Sequence, residues 1–214
     1  LFWALRGGGG NFGVVTSFEY RLHDMPPFVG GMVLYPLADA REVLKGYRDF
    51  AQAAPDDLTA NVALMTTPDG HDVVAVIAAW FGPTAEAEVW LGPLRRFGAP
   101  IADLIGDMSY DQLQTMLDPA APAGLRRYWK SGYVPTMDDE FVDIVLEHVP
   151  RKTSPLSLVL MLHMHGAAAR VAPDATAFGA RAAQWGFDIL PTWIAPDEDA
   201  RHIAWAPTFW SAVA

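Results

Sequence analysis

Two histidines, one aspartate and two tyrosines carry the proton chemistry that this sequence could perform. His163 and His165 stand two residues apart in an apolar run, Leu156 to His165, that reads as a β-strand, so both side chains project from one face. An imidazole titrates near neutrality and can take a proton from a hydroxyl group. The plain alternative is a solvated or hydrogen-bonded pair. Asp188, flanked by Phe187 and Ile189 in a second strand-like run, is another candidate base, and strand alternation equally allows it to face solvent. Tyr133 and Tyr128 could hand a proton onward or orient a substrate oxygen. No metal site is expected, because a tetrahedral ion needs a third and often a fourth ligand and none stands at suitable spacing. No G-x-S-x-G elbow and no P-loop is present.

A second constellation is made of glycine. Gly8 to Gly13 fits G-x-G-x-x-G, but a dinucleotide site needs a strand before the glycines and a helix after them. Here Leu1 to Arg6 reads as helix and Val14 to Leu22 alternates apolar and polar residues as a half-buried strand does. Consecutive glycines lose backbone entropy on folding, about 0.5–1 kcal/mol each relative to Ala. Two reasons could offset that loss: a sharp turn with positive φ angles, or close approach of bare main chain to a bulky ligand.

The elements that must hold these groups follow from periodicity. Val29 to Tyr35 is a strand, and Val43, Leu44, Tyr47, Phe50, Ala51 and Ala54 mark one face of a helix after Pro36. Strands Leu58 to Thr67 and Asp72 to Phe81 flank a Pro68-Asp69-Gly70 turn. A helix opens at Thr84, expected as its cap, and runs towards Phe97-Gly98 with Pro93 as a kink. Ile101 to Met108 closes a β-α-β-β-α-β order, the ferredoxin-like arrangement. After a short helix at Ser109 to Leu117 and a Pro/Ala/Gly loop at 119–124, the order begins again. Leu125 to Val134 is a strand, Thr136 with Asp139 resembles a capping box, and Phe141, Ile144, Val145 and His148 share a helix face. Strands Leu156 to His165 and Trp185 to Trp193 and a final helix from Asp197 complete it. The expectation is an α+β fold: an antiparallel sheet with helices on one face, built from two ferredoxin-like βαββαβ halves, the second lacking its last strand. The tryptophans Trp80, Trp129, Trp185 and Trp193 are expected mainly in the core.

Composition bounds the partners. Of 214 residues, 51% are hydrophobic and 19% charged, enough for a sizeable core. The net charge of −10, without a Lys/Arg cluster, argues against nucleic acid and anionic membrane surfaces. Apolar runs such as Val73 to Phe81 are about half the roughly 20 residues of a membrane span. Small molecules or proteins remain as partners, including a second copy of the chain. With no cysteine the compartment stays open, the cytoplasm being favoured.

The first sixteen residues, Leu1-Phe2-Trp3-Ala4-Leu5-Arg6-Gly7-Gly8-Gly9-Gly10-Asn11-Phe12-Gly13-Val14-Val15-Thr16, closely resemble a signature of the berberine bridge enzyme-like FAD-linked oxidases, within the vanillyl-alcohol oxidase group. Tyr128 to Tyr133 is similar to that family's Lys-Ser strand. His165 to Phe178 is similar to its Gly-Gly-Ala segment and following Thr-x-Phe loop, and Ile203 to Ala206 with Trp210 to its late helix.

The resemblance implies that residues 1–22 end an FAD-binding domain and that 23–214 form a substrate-binding α+β domain, truncated at its C-terminus. It implies FAD as cofactor, with most contacts outside this segment, in an FAD-binding domain of the same protein. Gly9, Gly10, Gly13, Val14 and Val15 would meet the flavin through backbone amides and small side chains. The implied activity is passage of a hydride from a small alcohol, sugar or secondary metabolite to FAD, reoxidised by oxygen, with the segment inactive alone. Several positions depart from the family's pattern: His165 replaces the first Gly of Gly-Gly, Gly179-Ala180-Arg181 replaces Pro-His-Arg, and Trp185-Gly186 replaces Tyr-Asn. These departures leave open an alternative, a non-catalytic ligand-binding or assembly module that keeps the oxidase fold.

Overall fold

The computed structural model describes residues 1–25, 27–120, 122–181 and 184–213. Ala121 in the expected loop and Ala214 at the expected helix end lie outside them. The strands are β1 (Phe28–Pro36), β2 (Leu58–Thr66), β3 (Asp72–Trp80), β4 (Ala102–Asp103), β5 (Gly106–Met108), β6 (Arg126–Arg127), β7 (Lys130–Val134), β8 (Leu158–His163), β9 (Trp185–Leu190) and β10 (Thr192–Trp193). The helices are α1 (Phe2–Leu5), α2 (Ala40–Gln52), α3 (Ala87–Leu91), α4 (Tyr110–Thr115), α5 (Asp139–His148), α6 (Gly166–Arg170) and α7 (Asp199–Val213).

The main sheet is antiparallel, in the order β4-β1-β3-β2-β8-β9-β7, with β5 also pairing β1. The first half, β4-β1-β3-β2, is the strand order that a βαββαβ unit gives when its helices lie on one side. The second half, β8-β9-β7, repeats it without a strand beside β7. The halves join where β2 pairs β8. The doubled ferredoxin-like arrangement read from the periodicity is therefore the fold observed.

The core lies on one face of the sheet. Leu58, Ala60, Val62 and Leu64 of β2 point into it, as do Val74, Val76 and Trp80 of β3 and Val159 and Met161 of β8. They meet Val43, Leu44 and Tyr47 of α2, Val142 and Val145 of α5, and Trp205 and Phe209 of α7. Alternation along each strand is what sorts these residues from the others. β3 is apolar on both sides because it is central and covered twice: Ala75 and Ile77 join Ala63 in a smaller cluster on the opposite face.

Several local expectations are corrected. Val14 to Leu22 forms no strand, and its apolar side chains are bare, Val14 being 91% and Leu22 90% exposed. A strand exists only when a neighbour pairs its N–H and C=O groups, and among the described residues none pairs with this segment. Ile101 to Met108 is split into β4 and β5, which pair with β1 in one continuous register on either side of Gly31, φ +140°, where a side chain would collide with the Leu104 carbonyl. Leu125 to Val134 is also divided, and its first part, β6, pairs with β10 in a separate ribbon. Pro191, which has no N–H to donate, separates β9 from β10. Thr84 makes no cap; Pro83 occupies that position. The α5 cap is Asp138, whose carboxylate accepts from the Phe141 N–H at 2.9 Å, in place of the Thr136/Asp139 box. Helix α6 was not foreseen. No described helix is long and apolar enough to cross a membrane.

Candidate functional site

Strand alternation separates the candidate residues into two environments. In β8, Val159, Met161 and His163 face the helices, whereas Leu158, Leu160 and Leu162 face the other way. In β9 the inward set is Trp185, Phe187 and Ile189, which sends Gly186, Asp188 and Leu190 outward. Asp188 thus lies on the face of the sheet that carries no helix layer of the main core, directly across from Leu160 on one side and Ser131 on the other. Tyr133 is on the same open face, opposite Gly186, with Leu162 and then Asn61 continuing its row. Asp188 and Tyr133 are therefore two residues apart along neighbouring strands, about 7 Å by strand rise.

His163 and His165 are brought together, but away from Asp188. Their rings stack at 4.9 Å, and His163 also lies 4.6 Å from the Trp185 ring on the helix side. Burial, and secondarily the neighbouring His165, pushes the His163 pKa down to about 4. Its Nδ1 has no hydrogen-bond partner among the described residues. Around the two rings is a cavity of about 510 Å³ reached by Gln52, Arg170, Arg181 and Gln184. Arg170 is taken up by Asp56, with Nη1 3.0 Å from Oδ1, and that guanidinium holds the Asp56 carboxyl below its usual range. Tyr128 packs against the main core, far from a proton-transfer position on the open face. Trp80, Trp185 and Trp193 are core, as expected, and Trp129 is 60% exposed.

The glycine turn is held near the Tyr133 end of the open face by the loop that follows α6. Trp3 Nε1 donates to the Asp174 carbonyl at 2.6 Å, the Ala177 N–H donates to the Trp3 carbonyl at 3.2 Å, and Arg6 donates to the Ala175 carbonyl at 3.1 Å. Gly7, φ +117°, abuts the Phe178 backbone so tightly that any Cβ would collide with it. The Phe178 ring in turn meets Tyr133 edge-on at 5.5 Å. Gly9 and Gly13 adopt φ +68° and +125°, and a Cβ at Gly9, Gly10 or Gly13 would meet nothing within 4 Å. No described group bonds the N–H of Val14 or Val15. Bare main chain with open space before it leaves room for a broad, flat ring of the flavin type to approach.

Two contributors to the open face went unnoticed in the sequence, and a third, Phe178, entered only through the resemblance to a Thr-x-Phe loop. Thr59 and Asn61 alternate with Leu58, Ala60 and Val62, and that period of two was the available signal. Phe178 sits in an irregular loop, where periodicity gives no signal.

No family model matches the chain. It is 27% identical over 207 residues to an FAD-linked oxidoreductase of Dictyostelium discoideum, covering 95% of this chain and 44% of that protein. Among solved structures, a BBE-like protein from Arabidopsis thaliana superposes with a TM-score of 0.82 at 18% identity, covering 98% of this chain and 47% of that one. Berberine bridge enzyme from Eschscholzia californica gives 0.81 at 16% identity, covering 99% and 46%. The chain spans about half the length of the proteins it matches. Its curated relatives are FAD-linked oxidoreductases, and its fold is that of the corresponding half of the berberine bridge enzyme-like proteins.

Proposed function

We propose that the protein is an FAD-dependent oxidase of the berberine bridge enzyme-like group, in which residues 1–22 end the FAD-binding domain and residues 23–214 bind substrate. The observation that carries this reading is the glycine turn: exposed main chain with positive φ, fixed through Phe178 to Tyr133 at the rim of a sheet face that also bears Asp188. Relatives named FAD-linked oxidoreductases support the same cofactor.

Gly9, Gly10, Gly13, Val14 and Val15 would hold the flavin through backbone donors. When bound, FAD supplies a two-electron acceptor for a hydride and is reoxidised by oxygen. Asp188 would accept the proton of the substrate hydroxyl or amine, because a carboxylate on the substrate face is a base in reach. Tyr133 would orient the same oxygen or nitrogen through its hydroxyl. His163 and His165, on the helix side, are assigned to structure.

Expression of the complete reading frame and its visible spectrum test the reading, followed by oxygen uptake with a panel of alcohols, amines and sugars. Flavin absorbance and uptake with at least one class are expected. Absence of flavin absorbance after reconstitution with FAD would sink the proposal.

A further inference from the structure

The open face is not uniformly exposed. At its β2–β3 hairpin end it sinks into a cavity of about 470 Å³ lined by Met32, Met65, Met116, Leu117, Leu156 and Leu158, with prolines 68, 119, 122 and 155 around its edge. That volume falls in the range of small-molecule sites. The hydroxyl groups in the lining are already engaged: Thr66 Oγ1 donates to Asp72 at 2.7 Å, Thr67 Oγ1 donates to the His71 carbonyl at 3.2 Å, and Ser157 Oγ accepts from the Thr192 N–H at 3.1 Å while donating to the Thr192 carbonyl at 3.5 Å. Among the described residues, no lysine, arginine, aspartate or glutamate side chain lines it. What the wall offers a guest is mostly hydrocarbon and thioether.

The cavity lies on the same sheet face as the candidate base and shares Met116 and Leu117 with the neighbouring pocket that Leu160 lines. Leu158 and Leu160 are on the same side of β8, and Asp188 pairs directly with Leu160. The cavity wall at Leu158 therefore begins about 7 Å along the strand from the Asp188 row. We infer that this cavity takes the apolar arm, an alkyl chain or unsubstituted ring, of a substrate whose oxygen- or nitrogen-bearing carbon lies at Asp188. The inference rests on the oxidase reading for the identity of the guest as substrate, though not for the existence of the site. It narrows the substrate class to hydrocarbon-rich metabolites and disfavours sugars, most of whose hydroxyls would be stripped of water without a partner. Three methionines, unbranched and polarisable, let the wall adapt to guests of different shape.

The test uses the complete protein and a homologous series from 4-methylphenol to 4-heptylphenol, with binding measured by equilibrium dialysis. Each added methylene buried in the cavity tightens Kd by about fourfold. Leu158→Trp from the sheet side and Leu117→Trp from the loop side fill the space independently, and each is expected to flatten that dependence. Far-ultraviolet circular dichroism of each variant reports folding. A wild-type Kd independent of chain length overturns the inference, as does a slope that persists in both folded variants. If the complete protein holds no flavin, the oxidase reading falls, while the dialysis series still decides the cavity.

Discussion

Replacing His163 by Phe is expected to change how stability depends on pH. The folded protein keeps the imidazole neutral, with its pKa pushed from 6.5 to about 4 by burial against Trp185 and by the stacked His165. An unfolded chain binds a proton on this group below about 6.5, and the folded chain does not until about 4. Stability therefore falls as pH drops through that window and is unaffected by this group above it. At pH 5 a fully sequestered ring would lose about 2 kcal/mol relative to pH 7.5. The ring is half-buried, and screening reduces this to about 1 kcal/mol. Arg170 and Arg181 line the same cavity, Arg170 being paired with Asp56, and the charge that opposes protonation of His163 is that of His165. Phe preserves the ring stack and carries no unpartnered Nδ1. Urea unfolding of wild type and His163→Phe at pH 7.5 and pH 5 should show the variant gaining about 1 kcal/mol on the wild type at the lower pH. A gap that is the same at both pH values would refute the assignment of a neutral, buried His163.

Asp188→Asn is expected to lower oxidase turnover by about 10²–10⁴, whereas Tyr133→Phe should cost about tenfold, measured by oxygen uptake. Unchanged rates in Asp188→Asn would remove it as the base. Gly132→Ala places a methyl group on the Trp210 ring and should destabilise by about 1–3 kcal/mol in urea, since α7 must shift to admit it. Asp138→Ala removes the acceptor for the Phe141 N–H and should reduce stability by about 1 kcal/mol; an unchanged urea midpoint would show that the cap contributes nothing.

The β-α-β-β-α-β order was legible because long apolar runs and one strong helix stripe dominate it. Val43, Leu44 and Tyr47 recur at helical spacing, and all three are fully enclosed. What escaped the pattern was set by contacts distant in sequence. The break between β4 and β5 falls where Leu104 approaches the bare backbone of Gly31, some seventy residues earlier, and nothing in Ile101 to Met108 announces it. Val14 to Leu22 has the alternation of a strand, yet alternation specifies a face and supplies no pairing partner. The candidate site was half legible. Spacing put His163 and His165 on one side and gave Asp188 even odds, but whether those sides coincide is fixed by register, Leu160 against Asp188 and His163 against Trp185, which a single strand does not encode.

That register also explains why the two chemistries stay apart. β8 is apolar at five of its six positions and β9 at four of six, and each sends one alternating set to the helices. Sliding β9 by one residue would turn Trp185, Phe187 and Ile189 out of the core and bury Asp188 among α5 and α7, an exchange of three large apolar side chains for a carboxylate. Phe187 alone touches Phe141, Phe209 and Trp210, so the aromatic cluster beneath the sheet locks the register. The polar residues of the open face owe their position to that packing, and the glycine turn owes its position to the loop carrying Phe178. A substrate face and a cofactor-facing main chain are thus set by two separate devices, which meet where Phe178 touches Tyr133.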